Sequence, residues 1–251
     1  MRSPCAVHIG TSGWHYQHWI GPFYPTKTPA SRMFAFYAEY FDTVELNNSF
    51  YRLPKLGQFA EWRDSAPKNF LFAVKASRFI THNLKLKNPK NAVDNILSRA
   101  EELGPKLGPV LFQLPPRWTK NAERLDEFLG GLPKYHRYVF EFREASWHCD
   151  EICSILRRYN AAYCIHEIAG FHTDLTITAD FTYVRLHGPG QGKYEGSYTD
   201  AQLRRWAAQI REWGERLKAV YIYFDNDQGG FAAANALRLK ELVAGTVRRA
   251  A

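Results

Sequence analysis

The sequence predicts an α/β chain of the TIM-like (β/α) barrel class: a single domain over residues 1–251, with parallel strands and a site at their carboxyl ends. Three observations carry that expectation. Strand-like and helix-like segments alternate from end to end, which implies parallel βαβ units. Eight such units in 251 residues match the ordinary length of a barrel. Most of the apolar runs close on a charged or amide residue, at the end where barrels build their sites. A doubly wound open sheet alternates too, but no G-x-G-x-x-G follows the first apolar run.

Each element has a local reason. The first strand, residues 6–10, is apolar and stops at Thr11-Ser12-Gly13. Residues 14–29 hold Trp14, Tyr16, Trp19, Phe23 and Tyr24 among prolines, too aromatic for a linker and so an ordered loop. Residues 31–40 have helical spacing, with Ser31 as the expected N-cap. TVELN (43–47) is the second strand, 56–64 a helix, and FLFAVKA (70–76) the third strand. A helix over 91–103 is stopped by Gly104-Pro105. PVLFQL (109–114) is the fourth strand, closed by Pro115-Pro116, and a helix over 121–129 ends at Gly130-Gly131. Strand five (138–143), a helix (151–159), strand six (162–166) and strand seven (181–187) follow. Beyond the Gly/Tyr-rich stretch 188–198 come an amphipathic helix (200–217), strand eight (219–224) and a last helix over about 231–243.

A 45% hydrophobic composition leaves room for a large core. The net charge of +8 favours anionic partners such as phosphates, nucleic acid or acidic surfaces. It serves equally as a solubility charge, helped by the basic tail Arg248-Arg249. The N-terminus lacks the apolar stretch of a signal peptide, and no apolar run approaches the ~20 residues that span a bilayer. A cytoplasmic protein without membrane contact is expected, and oligomeric state stays open. Cys5, Cys149, Cys153 and Cys164 are too scattered for a disulfide framework and lack zinc-ligand pairing.

Only the strand ends concentrate chemistry. Trp14 follows strand one; Glu45 and Asn47 end strand two, Lys75 strand three and Gln113 strand four. Strand five ends in Glu141 and Arg143, strand six in His166 and Glu167, strand seven in Arg185 and His187, strand eight in Tyr223, Asp225, Asn226 and Asp227. Glu45/Asn47, Glu141/Arg143, Arg185/His187 and Tyr223/Asp225 are spaced i, i+2, so each pair shares a strand face. Buried charges of this kind are either paired with one another as a plug or used on a ligand.

Glu45 and Glu141 suit general acid–base work, tuned by Lys75 and Arg185. His187 suits proton transfer near neutral pH. Lys75 among other cations suits a Schiff-base nucleophile, although a structural ion pair is its commoner role. No cofactor is expected. A divalent metal on Glu141, His166, Glu167, His187 and Asp225 is chemically allowed, but no HExxH-type cluster announces one. Two loops read as walls. Stretch 188–198, with Lys193, Tyr194 and Tyr198, suits a lid whose backbone amides face an anion; the aromatic first loop with Phe50, Tyr51 and Trp147 suits stacking on a base or sugar. Trp19, Phe23 and Tyr24 are expected only to cap the barrel mouth.

Seven stretches in order also carry a resemblance: GTSGWHYQHWIGPFYP, TVELNNSFYRLP, FAVK, LFQLPP, FEFREASW, TADFTYVRLHG and the Y-x3-Y at Tyr194 and Tyr198. Together, from Ile9 to about Leu242, they resemble the YecE-like family. The resemblance implies a TIM-like barrel with no settled activity. It points to Trp14, Tyr16, Glu45, Asn47, Tyr51, Lys75, Gln113, Glu141, Arg143, Trp147, Arg185, His187, Tyr194, Tyr198 and Asn226. This chain reads Tyr223-Phe224-Asp225-Asn226 where the family commonly reads YFNN, and His166-Glu167 where it often has an aspartate.

Three functions compete on these grounds. The first is an enzyme acting by acid–base chemistry of Glu141 and Glu45 on an anionic, sugar- or nucleotide-like molecule, with Lys75, Arg143 and Arg185 on the anion and aromatics stacking the remainder. The second is a nucleic-acid enzyme resembling endonuclease-type barrels. The third is a non-catalytic ligand-binding barrel.

Overall fold

The computed structural model describes residues 4–192 and 194–247; the expectations placed on Lys193 and on Arg248-Arg249 lie outside the described residues. In chain order the elements are β1 (Ala6–Thr11), α1 (Ala30–Tyr40), β2 (Thr43–Leu46), α2 (Asn48–Tyr51), α3 (Gln58–Ser65) and β3 (Leu71–Lys75). Then come α4 (Lys90–Ala100), β4 (Leu107–Gln113), α5 (Ala122–Gly130), β5 (Tyr138–Glu141), α6 (Asp150–Arg158), β6 (Ala162–Ile168) and β7 (Phe171–His172). The last are β8 (Phe181–Leu186), α7 (Asp200–Gly214), β9 (Ala219–Phe224) and α8 (Phe231–Val247). The fold is α/β and of the TIM-like barrel class, with eight parallel strands in the hydrogen-bonded order β1-β9-β8-β6-β5-β4-β3-β2.

Some boundaries differ from expectation for local reasons. Ser31 lies inside α1, whose N-cap is Pro29. Asn47 has left the strand with φ −101° and ψ −19°, and is the N-cap of the short α2. β6 runs on to Ile168 and turns back into the antiparallel β7 through Ala169 (φ 48°) and Gly170 (φ 78°). Two successive positive φ angles make the turn that matches strand twist, but Ala-Gly is a faint signal for it.

The chain divides into two compact units. The first comprises Met1–Val44, Ile165–Asp174 and Asp180–Ala251. Its strands pair in the parallel order β1–β9–β8, with Ile9, Ile222 and Val184 in one register row. Leu203, Trp206, Ala207, Ile210 and Trp213 form the buried stripe of α7, the i, i+3, i+4 pattern of a helix lying on a core. Thr199 and Gln202 close a capping box at its start. At Gly10 a Cβ would collide with the carbonyl oxygen of Thr43, so close backbone approach demands glycine there.

The second unit comprises Glu45–Cys164 and Leu175–Ala179. β3, β4 and β5 pair in parallel, and Phe112 stacks on Phe140 at 5.4 Å and meets Phe128 of α5 edge-on at 5.1 Å. Val93, Ile96, Leu97 and Ala100 are the buried stripe of α4. Asn121 caps α5 by accepting from the Arg124 amide at 2.9 Å. Among the described residues no helix is long and apolar enough to cross a membrane.

Candidate functional site

In the first unit the site is set by strand register. Gly10 pairs with Tyr223 and Arg185 with Tyr223, and the next row aligns Thr11, Phe224 and Leu186. One residue further, Ser12 donates its amide to Phe224 O at 2.8 Å, and Asp225 donates its amide to Leu186 O at 2.8 Å. Ser12, Asp225 and His187 therefore leave their strands at one level, and alternation turns them to the face of Arg185 and Tyr223. Below them the same face is aromatic: Tyr183 lies 5.1 Å from Tyr223 and 6.3 Å from Tyr221, and His8 stacks on Tyr221 at 5.1 Å.

Arg185, only 1% exposed, organises the polar level. Its Nη2 donates to Asp225 Oδ2 at 2.9 Å and to Ser12 Oγ at 3.3 Å, while Nη1 lies 3.4 Å from His187 Nε2. Asp225 Oδ2 is also 2.9 Å from His187 Nδ1, an ion-pair approach off the line of a good hydrogen bond. A guanidinium has donors and no acceptor. His187 Nε2 therefore accepts, and the imidazole proton belongs on Nδ1, facing the carboxylate. His187 donates its amide to Glu167 O at 3.0 Å, and its ring meets Tyr194 at 5.5 Å and His166 at 6.4 Å.

The glycine-rich stretch is pinned at both ends. Gly188 donates its amide to the buried Tyr198 hydroxyl at 3.2 Å; burial and then the Glu167 carboxylate raise that phenol's pKa. Asn226 Nδ2 donates to Gly196 O at 2.8 Å and to Asn235 Oδ1 at 3.0 Å. Asn235, from α8, donates to Ser197 Oγ at 3.0 Å and accepts from the Tyr198 amide at 3.1 Å. Sequence reasoning missed Asn235. Its signal was a lone amide among the alanines of FAAANAL.

Other residues of this unit serve the loop itself. Tyr16 donates to Ser12 O at 2.6 Å and packs on Trp19 at 4.8 Å. Trp14 packs on Phe34 at 5.1 Å, and its carbonyl accepts from Tyr24 at 2.5 Å. Tyr223 is fully buried with its hydroxyl 2.7 Å from Thr43 Oγ1. Burial, and then the Asp225 carboxylate, push the Asp227 pKa up. The Asp227 carbonyl accepts from Trp19 Nε1 at 2.8 Å.

In the second unit, register places Gln113 beside Glu141 and Lys75 beside Leu111. Glu141 is fully buried, and Arg143, two residues on and on the same face, donates Nε to its Oε1. Lys75 is 7% exposed, with Nζ 4.3 Å from the Phe50 ring centre, a cation–π contact. Phe50 meets His82 edge-on at 5.3 Å. Burial, then Arg78 and Lys75, hold the His82 pKa below its ordinary value. Glu45 is buried, whereas Tyr51 on α2 is 72% exposed. The amide oxygen of Asn47 is buried as well. Trp147 is buried, stacked on Phe142 at 5.1 Å and donating to Trp118 O at 2.5 Å. Among the described residues no three His, Cys, Asp or Glu side chains gather as metal donors.

Comparison with known proteins adds a family. The family model described as "Protein of unknown function DUF72" matches residues 8–250. The UPF0759 protein YunF of Bacillus subtilis (strain 168) is 28% identical, with 94% of each chain aligned. A crystal structure of a DUF72 family protein from Thermotoga maritima MSB8 superposes with a TM-score of 0.86 at 28% identity, over 95% of this chain and 99% of that one. One from Enterococcus faecalis V583, at 17% identity and a TM-score of 0.80 over 95% of each chain, is alike in fold.

Proposed function

The chain belongs to the DUF72 family, and we propose that it is an enzyme acting by acid–base chemistry on an anionic, phosphate-, sugar- or nucleotide-like small molecule. The observation that carries this reading is the Ser12–Arg185–Asp225–His187 cluster. Asp225 Oδ2, 2.9 Å from Nδ1, is the carboxylate placed to orient the ring, the role a carboxylate has beside a catalytic histidine. Arg185 lies 3.4 Å from Nε2, long for a hydrogen bond to an ionised donor. An anion that draws Nη1 to itself exposes the Nε2 lone pair, so binding of the substrate's charge arms the base. Tyr194 lies against the His187 ring, and the pinned stretch that carries it is the lid. In the second unit, Glu141, Glu45 and Lys75 remain the proposed catalytic groups, with Arg143 and Gln113 as ligand contacts.

Incubation with phosphorylated sugars, sugar acids and nucleotides, followed by proton and phosphorus NMR, tests the reading. Turnover of one compound, lowered about 10²- to 10⁴-fold in a folded His187→Gln variant, is the expected result. A compound that binds and is never changed makes the chain a binding barrel. Oligonucleotide affinity that falls steeply with salt makes it a nucleic-acid protein.

A further inference from the structure

A cleft lies in the second unit, formed by the residues before α4 and by the face of α5. The cleft measures about 550 Å³, within the ~300–1,000 Å³ of small-molecule sites. Its floor is apolar: Leu86, Val93, Phe128 and Leu132 line it and are each no more than 6% exposed. Its rim is charged. Lys90 and Asp94 neutralise one another at 2.6 Å, which leaves Lys87, Arg124 and Glu127. None of those three side chains has an ion-pair partner among the described residues.

The wall is built in an unusual backbone. Lys85 (φ 48°), Leu86 (φ 64°) and Asn88 (φ 45°) are left-handed within four residues, directly after a π-type turn at Phe79–Asn83. Left-handed non-glycine residues are strained and gather where a ligand or switch uses the shape. Here the excursion turns Leu86 into the floor and Lys87 to the rim.

We propose that this cleft binds an amphipathic carboxylate, an unbranched or aromatic acid with its apolar body on Val93 and Phe128 and its anion between Lys87 and Arg124. The two cations outnumber Glu127, so the rim favours an anionic head over a cationic one. Glu127, one helical turn from Arg124, moderates that preference instead of setting it.

The test uses decanoate, with decan-1-ol and decylamine as length-matched probes, on the full chain labelled at Leu and Val methyl groups. Decanoate is expected to move the Leu86, Val93 and Leu132 methyl signals and to bind more tightly than either comparator. Arg124→Gln should weaken decanoate about tenfold, and Glu127→Gln should tighten it, with both signs reversed for decylamine. Gly131→Phe should block all three probes while the methyl spectrum away from the cleft keeps its folded pattern; a Cβ at Gly131 meets nothing closer than 3.6 Å, so the backbone there admits a side chain. Methyl shifts elsewhere, equal affinity for decan-1-ol, or charge variants that leave decanoate affinity unchanged would each overturn the proposal.

Discussion

Asp225 Oδ2 lies 2.9 Å from His187 Nδ1, and the same oxygen accepts from Arg185 at 2.9 Å. One carboxylate thus accepts from a buried guanidinium and lies beside the His187 ring. Removing one partner of a buried ion pair costs about 3–5 kcal/mol. Asp225→Asn is therefore expected to lower unfolding free energy by roughly that amount in urea titration. Nitrogen chemical shifts of His187 should also show the proton moving off Nδ1. A change under 1 kcal/mol, with the tautomer unaltered, would mean that Asp225 is not the partner that matters.

The Glu141–Arg143 pair makes a different kind of prediction. Each partner alone is expected to cost about 3–5 kcal/mol when removed, as Glu141→Gln or Arg143→Met. The double variant should cost clearly less than the sum, because both single changes remove the same interaction. Additivity within about 0.5 kcal/mol in a denaturation cycle would show that the two side chains do not depend on one another.

Asn235 is expected to act on the 188–198 loop at a distance in sequence. Asn235→Ala removes bonds to Ser197, Tyr198 and Asn226, each worth about 0.5–1.5 kcal/mol. Amide exchange over residues 196–198 should accelerate at least tenfold, while the strands β8 and β9 keep their protection. Unchanged exchange there would remove Asn235 from the clamp.

His82 gives stability a pH dependence. Its folded pKa lies below the ordinary 6.5, so above pH 6.5 both states are neutral and its contribution is fully present. As pH falls from 6.5 toward the folded value, the unfolded chain takes up the proton first and stability declines. The slope for one group is at most about 1.4 kcal/mol per pH unit. Urea midpoints at pH 7.5 and 5.5 should differ less in His82→Gln than in the parent, and equal differences would reject the assignment.

Much of this arrangement was legible because it follows from alternation. Arg185 and His187 had to share a face, as did Glu141 and Arg143, and the strand register then brought Asp225 and Ser12 to the level of His187. What stayed hidden was set by contacts remote in sequence or by backbone without a residue signature. Tyr223 reads as a strand-end ligand, yet Thr43, 180 residues away, takes its hydroxyl. Trp147 reads as a wall, yet Phe142 and Trp118 enclose it, since sequence does not say which side of a strand end an indole will take. The turn at Ala169-Gly170 and the left-handed run at Lys85–Asn88 carry none of the usual Asn-Gly or Asp-Gly marks.

The pinned loop also says where the chain tolerates length. With Gly188 tied to Tyr198, Gly190 to Glu195 and Gly196 to Asn226, extra residues between 191 and 194 leave these anchors in register, whereas an insertion at 197 or 198 pulls the clamp apart. A short reporter peptide or a dye-bearing cysteine placed in that interval would ride on the loop and report its surroundings by fluorescence, with the strands beneath it undisturbed.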